Sequence, residues 1–187
     1  MAAIATPGRH AAFLRGINVG GRRVTGAQLC APFQALGFDH VTSFLASGNV
    51  TFATTETVGL EARIEWALQV ALGFEVEVYV RTAAEVADIV GCRPFPPEVV
   101  AATDGKVQVT FLRDRPGPAG VEAAMAHATE QDRLSVIGRE WYWLPAAGIS
   151  TSPLDVKAVE RVLGRGTTRT LHTVARIQAR LRSDPAG

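Results

Sequence analysis

Apolar positions along the first half of the chain change between strand-like and helix-like spacing. The apolar run from Ala11 to Ile17 predicts a buried strand, whereas valines alternating with polar residues over 75–80 predict a half-buried strand. Together the patterns predict strands at 11–17, 40–45, 50–53 and 75–80 and helices at 26–36 and 57–72. The resulting order, β-α-β-β-α-β, is that of a ferredoxin-like unit, whose antiparallel sheet has the strand order 4-1-3-2.

The same order of elements returns in the second half, after a helix and a proline-rich stretch. Strands are predicted at 107–112, 134–137 and 140–144 and helices at 120–129, 153–163 and 173–181. A helix thus takes the place of the fourth strand. We therefore predict an α+β fold of two ferredoxin-like (βαββαβ-type) halves with antiparallel sheets and packed helices, the second half ending in helices. The predicted parts are a disordered tail at 1–10, a ferredoxin-like subdomain at 11–81, a helix and linker at 82–97 and a second α+β subdomain at 98–187.

Composition is that of an ordinary globular protein and excludes several classes. The 187 residues are 47% hydrophobic and 20% charged, with a net charge of +1, which excludes a disordered chain or a collagen. No apolar stretch is long enough to cross a membrane, and no secretion signal is apparent. Cys30 and Cys92 lie far apart and predict reduced thiols. We therefore expect a cytoplasmic protein without membrane partner, metal or cofactor.

Charge is unevenly distributed along the chain. Residues 1–55 carry four basic groups and one acidic group, and residues 157–187 carry seven basic and two acidic groups, whereas residues 56–105 carry three basic and nine acidic groups. The basic ends could form a patch for an anionic ligand or could neutralise the acidic middle. A sequence pI near 7.9 gives nucleic-acid binding only weak support.

Three loops of the first half are expected to open at the same end of the sheet. In the 4-1-3-2 order, the loop after strand 1 (15–25), the hairpin between strands 2 and 3 (46–49) and the loop before strand 4 (73–74) share one rim. The two most unusual stretches of the sequence lie in the first two of these loops. They are the glycine-bearing segment that starts at Leu14 and the tripeptide Ser47-Gly48-Asn49.

The rim combines permissive backbone, amide side chains and guanidinium groups. Exposed N–H groups of glycine turns beside arginines suit a phosphate or a carboxylate. The candidate ligand-binding residues are Arg15, Gly16, Asn18, Gly20, Gly21, Arg22, Ser47, Gly48 and Asn49. Three interpretations remain open: loops that only hold themselves together, a site for an anionic small molecule or nucleotide, and a protein-docking loop.

Arg15 is the most informative of these residues because it follows an apolar strand. A partly buried guanidinium requires a partner. Asp39 is the one acidic residue in the first 55. If Asp39 does not lie beside Arg15, we expect a ligand anion to take that place.

Several motifs resemble a known family. The segments Phe13-Leu14-Arg15-Gly16-Ile17-Asn18-Val19-Gly20-Gly21 and Ser47-Gly48-Asn49-Val50, with weaker matches such as Val136-Ile137-Gly138-Arg139, resemble the bacterial domain of unknown function 1697. The resemblance implies a two-part α+β fold with a ferredoxin-like first half and no established activity. It also implies Ser-Lys-Leu and Asn-Trp-Asn-Thr-Val stretches near the end. Here those positions are Ser152-Pro153-Leu154 and Thr170-Leu171-His172-Thr173-Val174, so a site formed there in the family would be altered.

The leading functional prediction is a binding module that holds an anionic small molecule or nucleotide at the glycine-rich loop. Two alternatives remain. One is an enzyme of unknown reaction using the same cleft, although no base, nucleophile or metal-ligand motif is apparent. The other is a nucleic-acid or protein-interaction module using the basic C-terminal helices. The sequence assigns no catalytic residue and no oligomeric state.

Overall fold

The computed structural model describes residues 6–104 and 106–183, which form two compact units. Unit 1 contains residues 6–89 and 176–183, and unit 2 contains residues 90–175. Of the predicted tail at 1–10, residues 1–5 lie outside the described part, as do residues 184–187 of the second predicted subdomain. The first strand already begins at Gly8, and the boundary at 89/90 lies within the predicted linker helix.

Unit 1 has the predicted ferredoxin-like topology. Its elements are β1 (Gly8–Arg15), α1 (Gly26–Ala35), β2 (Asp39–Ser43), β3 (Asn49–Thr54), α2 (Leu60–Leu72), β4 (Glu77–Thr82) and most of α3 (Ala83–Gly91). The sheet is antiparallel with the order β2-β3-β1-β4. This is the 4-1-3-2 order predicted from the sequence, so the β1–α1 loop and the β2–β3 hairpin lie at the same end of the sheet.

Helix α1 begins where the loop ends because Thr25 caps it. The Thr25 hydroxyl accepts a hydrogen bond from the Gln28 N–H, and the Gln28 side chain accepts one from the Thr25 N–H. Pro32 lies inside this helix, which begins at Gly26 as the hydrophobic pattern predicts.

The core of unit 1 lies between one face of the sheet and the two helices. Alternate residues of the strands and one face of each helix supply it, as the period-2 and period-3.6 patterns require. Its fully buried members include Leu14, Ile17, Phe33, Val50, Phe52, Ile64, Leu68 and Val78. Ile17, which belongs to the glycine-rich loop after β1, is also buried in this core.

The outer edge of β4 is closed by helix α2. The Val78 N–H donates to Glu65 Oε1 at 2.9 Å, and the Val80 N–H donates to Glu61 Oε1 at 3.4 Å. A carboxylate acceptor thus satisfies backbone donors that an edge strand would otherwise expose.

Unit 2 repeats the topology completely. It contains α4 (Pro97–Ala101), β5 (Gln108–Leu112), α5 (Pro118–Met125), β6 (Asp132–Ile137), β7 (Glu140–Pro145), α6 (Val156–Leu163), β8 (Gly166–Thr170) and the start of α7 (Leu171–Arg182). Its antiparallel sheet has the order β6-β7-β5-β8. The expectation that a helix replaces the fourth strand was wrong: β8 forms between α6 and α7, and it pairs with β5.

Equivalent strand positions in the two sheets carry the same residues. Phe-Leu-Arg ends β1 at 13–15 and recurs at 111–113, where Phe111 and Leu112 end β5 and Arg113 follows the strand. Arg-Thr ends β4 at 81–82 and recurs at 169–170 at the end of β8. Arg81 and Arg169 are both buried and donate to the carbonyl of the preceding residue, and burial lowers the pKa of Arg169 to about 10. The repeat therefore extends from topology to residue identity on the strands.

Candidate functional site

The three predicted loops meet at one rim of the unit 1 sheet. The Leu14 N–H donates to the Gly48 carbonyl at 2.8 Å. The Asn18 amide donates to the Ala46 carbonyl at 2.6 Å. The Arg22 guanidinium lies 4.1 Å from the ring centre of Phe74, in the loop before β4. Each loop is therefore joined to another by a direct contact.

The β1–α1 loop is folded by its own backbone and by Asn18. Residues 19–22 form a turn closed by the Arg22 N–H on the Val19 carbonyl at 3.2 Å, and Gly20 and Gly21 both have positive φ within it. The Asn18 Oδ1 accepts from the Val24 N–H at 2.8 Å. Both polar ends of the Asn18 side chain are thus used to shape the loop.

The hairpin is held mainly by Asn49. Its buried side-chain amide donates to the Phe44 carbonyl at 2.8 Å and to the Ser47 hydroxyl at 3.0 Å. Leu45 has φ +61° in the left-handed region, which is costly for a non-glycine residue. Asn49 and Ser47 thus form the turn, and their predicted contact with a ligand stays a prediction.

The partner of Arg15 is Glu77. The two side chains are opposite each other on β1 and β4, with Arg15 Nε 3.6 Å from Glu77 Oε2, and each is about one-third exposed. Glu77 also accepts from the Tyr79 hydroxyl at 3.2 Å. The sequence analysis considered only Asp39 or a ligand anion as the partner of Arg15. It did not consider the acidic residues of β4, which pairs with β1; Glu77 lies 62 residues after Arg15 in the sequence.

An open cavity of about 470 Å³ lies between the β1–α1 loop and the hairpin. Its lining residues are Asn18, Gly21, Arg22, Arg23, Val24 and Ala46; we call it the rim cavity. Arg22 is held in place by contacts with Phe74 and with the Val19 carbonyl. Within the described ranges, Arg23 makes no hydrogen bond or ion pair. Its charge is therefore available to a ligand.

Only part of the predicted set lines this cavity. Asn18, Gly21 and Arg22 line it, whereas Arg15, Gly16, Gly20, Ser47, Gly48 and Asn49 do not. The sequence prediction left out Arg23, Val24 and Ala46. The adjacent arginine was visible in the sequence, but the sequence did not indicate which of the two side chains would be held by a neighbouring ring.

The electrostatics of the rim cavity favour an anion. Two arginines line it, and its described lining residues include no carboxylate, imidazole or thiol. The N-terminus of α1 follows immediately and adds a partial positive charge. The guanidinium groups of the lining are donors suited to an anion such as a phosphate or a carboxylate.

The equivalent end of the unit 2 sheet differs in charge. There the Leu112 N–H donates to the Arg139 carbonyl at 2.9 Å, as Leu14 does to Gly48. A cavity of about 640 Å³ opens beside it, lined by Arg115 and Glu122 together with prolines and valines. A carboxylate in the lining offsets the arginine, so this cavity lacks the cationic character of the first.

Part of the basic C-terminal helix takes part in packing. The guanidinium groups of Arg176 and Arg180 lie 4.8 and 4.4 Å from the ring centre of Phe44, within the range of a cation–π contact. In the part of the chain that the structure describes, no helix is long and apolar enough to span a bilayer, and no cluster of three metal-ligating side chains occurs.

These features define a protein of two ferredoxin-like units with an arginine-lined cavity at the rim of the first. The sequence matches the family described as protein of unknown function (DUF1697) over residues 8–142, and the chain belongs to that family. The fold is similar to that of conserved bacterial protein SP0830 from Streptococcus pneumoniae, with a TM-score of 0.71 at 18% identity, over 95% of this chain and 99% of that one. No curated protein matches the sequence.

Proposed function

We propose that the protein binds a small anionic molecule, such as a nucleotide or phosphosugar, in the rim cavity. The observation that carries the proposal is the pairing of two arginines, Arg22 and Arg23, in a lining without acidic residues. Arg22 is held by Phe74 and Arg23 is available. A phosphate between them would receive charge-assisted hydrogen bonds from both guanidinium groups.

The surrounding loops support the proposal by being organised before a ligand arrives. Asn18 fixes the loop to the hairpin, and Asn49 fixes the hairpin to itself. The strained backbone of Leu45 stands in the same hairpin, and strained residues are common beside binding sites. A preformed site lowers the entropic cost of binding.

In this proposal, the predicted site residues that do not line the cavity support the loops around it. They are Arg15, Gly16, Gly20, Ser47, Gly48 and Asn49. Arg15 is held by Glu77, and Asn49 and Ser47 contact each other. We assign ligand contact to Gly21, Arg22 and Arg23, whereas the Asn18 side chain holds the lining loop in place. The free thiols of Cys30 and Cys92 fit a reducing compartment, so we place this binding activity in the cytoplasm, which cell fractionation tests.

The test is a thermal-shift screen with inorganic phosphate, pyrophosphate, AMP, ATP and phosphosugars. A probe at about one hundred times its Kd should stabilise the fold by about 2.7 kcal/mol. Arg22→Ala and Arg23→Ala should each abolish the shift, whereas Arg182→Ala, which removes the same charge from an exposed position in α7, should leave it unchanged.

Two results would contradict the proposal. One is the absence of a shift with every probe at millimolar concentration. The other is an equal reduction of the shift by Arg182→Ala, which would indicate general attraction to the basic ends. Short oligonucleotides, added in parallel at low and high salt, test the alternative of nucleic-acid binding by the basic C-terminal helices.

A further inference from the structure

Unit 2 contains a second concave site of a different chemical character. A cavity of about 400 Å³ opens beside the proline-rich segment 92–97 and helix α4. Val100 and Ala101 of α4 contribute to it, as do Val107 and Leu171, whose backbone groups are hydrogen-bonded to each other. The volume is that of a site for a small organic molecule, and the lining is mainly apolar.

Two polar side chains stand among these apolar residues. Cys92 is a partly exposed free thiol. Arg93 is exposed, and within residues 6–104 and 106–183 its side chain makes no hydrogen bond or ion pair. An apolar cavity with one available cation is complementary to a molecule that has an apolar body and one negative charge.

The walls of the cavity are stiff. Pro94, Pro96 and Pro97 restrict the backbone, and Phe95 between them is buried. The Pro96 carbonyl accepts from the N–H groups of Val99 and Val100, which fixes the start of α4. The cavity is therefore formed without a ligand, so binding pays little for ordering the protein.

We propose that this cavity binds a small monocarboxylate with an aliphatic or aromatic body. The apolar body contacts Val100, Val107 and Leu171, and the carboxylate pairs with Arg93. None of its lining residues belongs to the rim cavity, so this proposal does not depend on the proposed function.

Cys92 provides a direct reporter of occupancy. The probe is octanoate, and the measurement is the rate of Cys92 alkylation by iodoacetamide, followed by peptide mass spectrometry. At about ten times its Kd, octanoate should slow Cys92 alkylation about tenfold. Cys30, a partly exposed free thiol in α1 of unit 1, serves as the internal control and should react at an unchanged rate.

Variants of Arg93 separate carboxylate recognition from simple apolar association. Arg93→Gln should remove most of the protection of Cys92 by octanoate while leaving its protection by the uncharged octanamide unchanged. Arg93→Lys should retain part of the protection by octanoate. Ala101→Trp, which fills the cavity, should abolish protection by both probes, with circular dichroism confirming that the fold is kept. Arg22→Ala should have no effect.

The proposal is overturned if octanoate leaves the Cys92 rate unchanged or slows Cys30 equally. It is also overturned if octanoate protects Arg93→Gln as well as the unaltered protein, because the cavity would then bind apolar molecules without recognising the carboxylate.

Discussion

Replacing Gly48 with alanine should destabilise unit 1 by about 2–4 kcal/mol, and this tests the junction on which the rim cavity depends. Gly48 has φ +78°, a conformation that costs an L-residue about 1 kcal/mol. A Cβ there would lie 2.9 Å from Ile17 Cγ1 and 3.2 Å from Leu14 Cβ. These distances are shorter than the ordinary contact of about 3.5–4.0 Å, and overpacking of this kind costs about 1–3 kcal/mol.

The matched control is Gly20→Ala in the same rim. Gly20 has φ +63°, but an added Cβ would meet no atom within 4 Å. Gly20→Ala should therefore lower the free energy of unfolding only through the unfavourable backbone conformation, by about 1 kcal/mol. The measurement is urea-induced unfolding followed by far-UV circular dichroism, with the free energy of unfolding extrapolated to water for each variant.

A double-mutant cycle isolates the steric part. Because Ile17→Ala removes the Cγ1 atom, Gly48→Ala made in that background should cost less than it does in the unaltered protein. If Gly48→Ala costs no more than Gly20→Ala, or if Ile17→Ala leaves its cost unchanged, then the hairpin does not rest on Ile17 and the described junction of the two loops is wrong.

Two further predictions concern groups away from the rim. Glu65→Ala should cost about 1–3 kcal/mol because the Val78 N–H loses its acceptor, whereas Glu65→Gln keeps an acceptor oxygen and should cost less; equal losses in urea unfolding would contradict this. Burial, with the ring stacked on Phe52, lowers the pKa of His10 from its ordinary value of 6.5. The unfolded chain therefore binds the proton first, so the free energy of unfolding should fall as the pH drops below 6.5. His10→Phe should remove that part of the pH dependence, and an identical slope in both proteins would contradict the assignment.

The unit 1 fold could be predicted because the hydrophobic pattern of each segment identifies its strands and helices. The common location of the rim loops then follows from the strand order. The run from Ala11 to Ile17 and the alternation over 75–80 define strands without reference to partners. Once the order β-α-β-β-α-β is known, the 4-1-3-2 sheet brings the loop after β1 and the β2–β3 hairpin to one end. The contacts Leu14–Gly48 and Asn18–Ala46 confirm that consequence.

Strand β8 could not be predicted from its own sequence. Gly166–Thr170 contains no aliphatic or aromatic residue, and no apolar alternation marks it. The strand forms by pairing with the edge of β5. The Thr110 hydroxyl of β5 and the Thr168 hydroxyl of β8 are hydrogen-bonded to each other at 2.7 Å. Its stability comes from a non-local partner, which periodicity does not detect. The repeated Arg-Thr pair was a signal that comparison of the two halves would have found.

The roles of the rim residues were harder to predict than their location. Asn18 and Asn49 have the chemistry of ligand contacts, and in the structure their amide groups hydrogen-bond loop backbone. Such residues satisfy turn backbone as readily as they bind ligands. The sequence shows which side chains share a loop. The direction of each side chain depends on neighbours from elsewhere in the chain, such as Phe74 in the loop before β4 and Glu77 in β4.

The comparison of the two units gives a physical reason for proposing the anion site in the first unit. Phe-Leu-Arg and the backbone bond from the leucine to the hairpin are common to both, so the frame of the rim is the same. The surrounding chemistry differs: Asn49 of the first hairpin corresponds to Glu140 of the second, and Glu122 lines the second cavity. A carboxylate beside an arginine competes with an incoming anion for the guanidinium. Replacing Glu122 with glutamine should therefore increase phosphate binding at the second rim, measured by calorimetry in an Arg22→Ala background; unchanged binding would show that the difference in acidic residues does not distinguish the two rims.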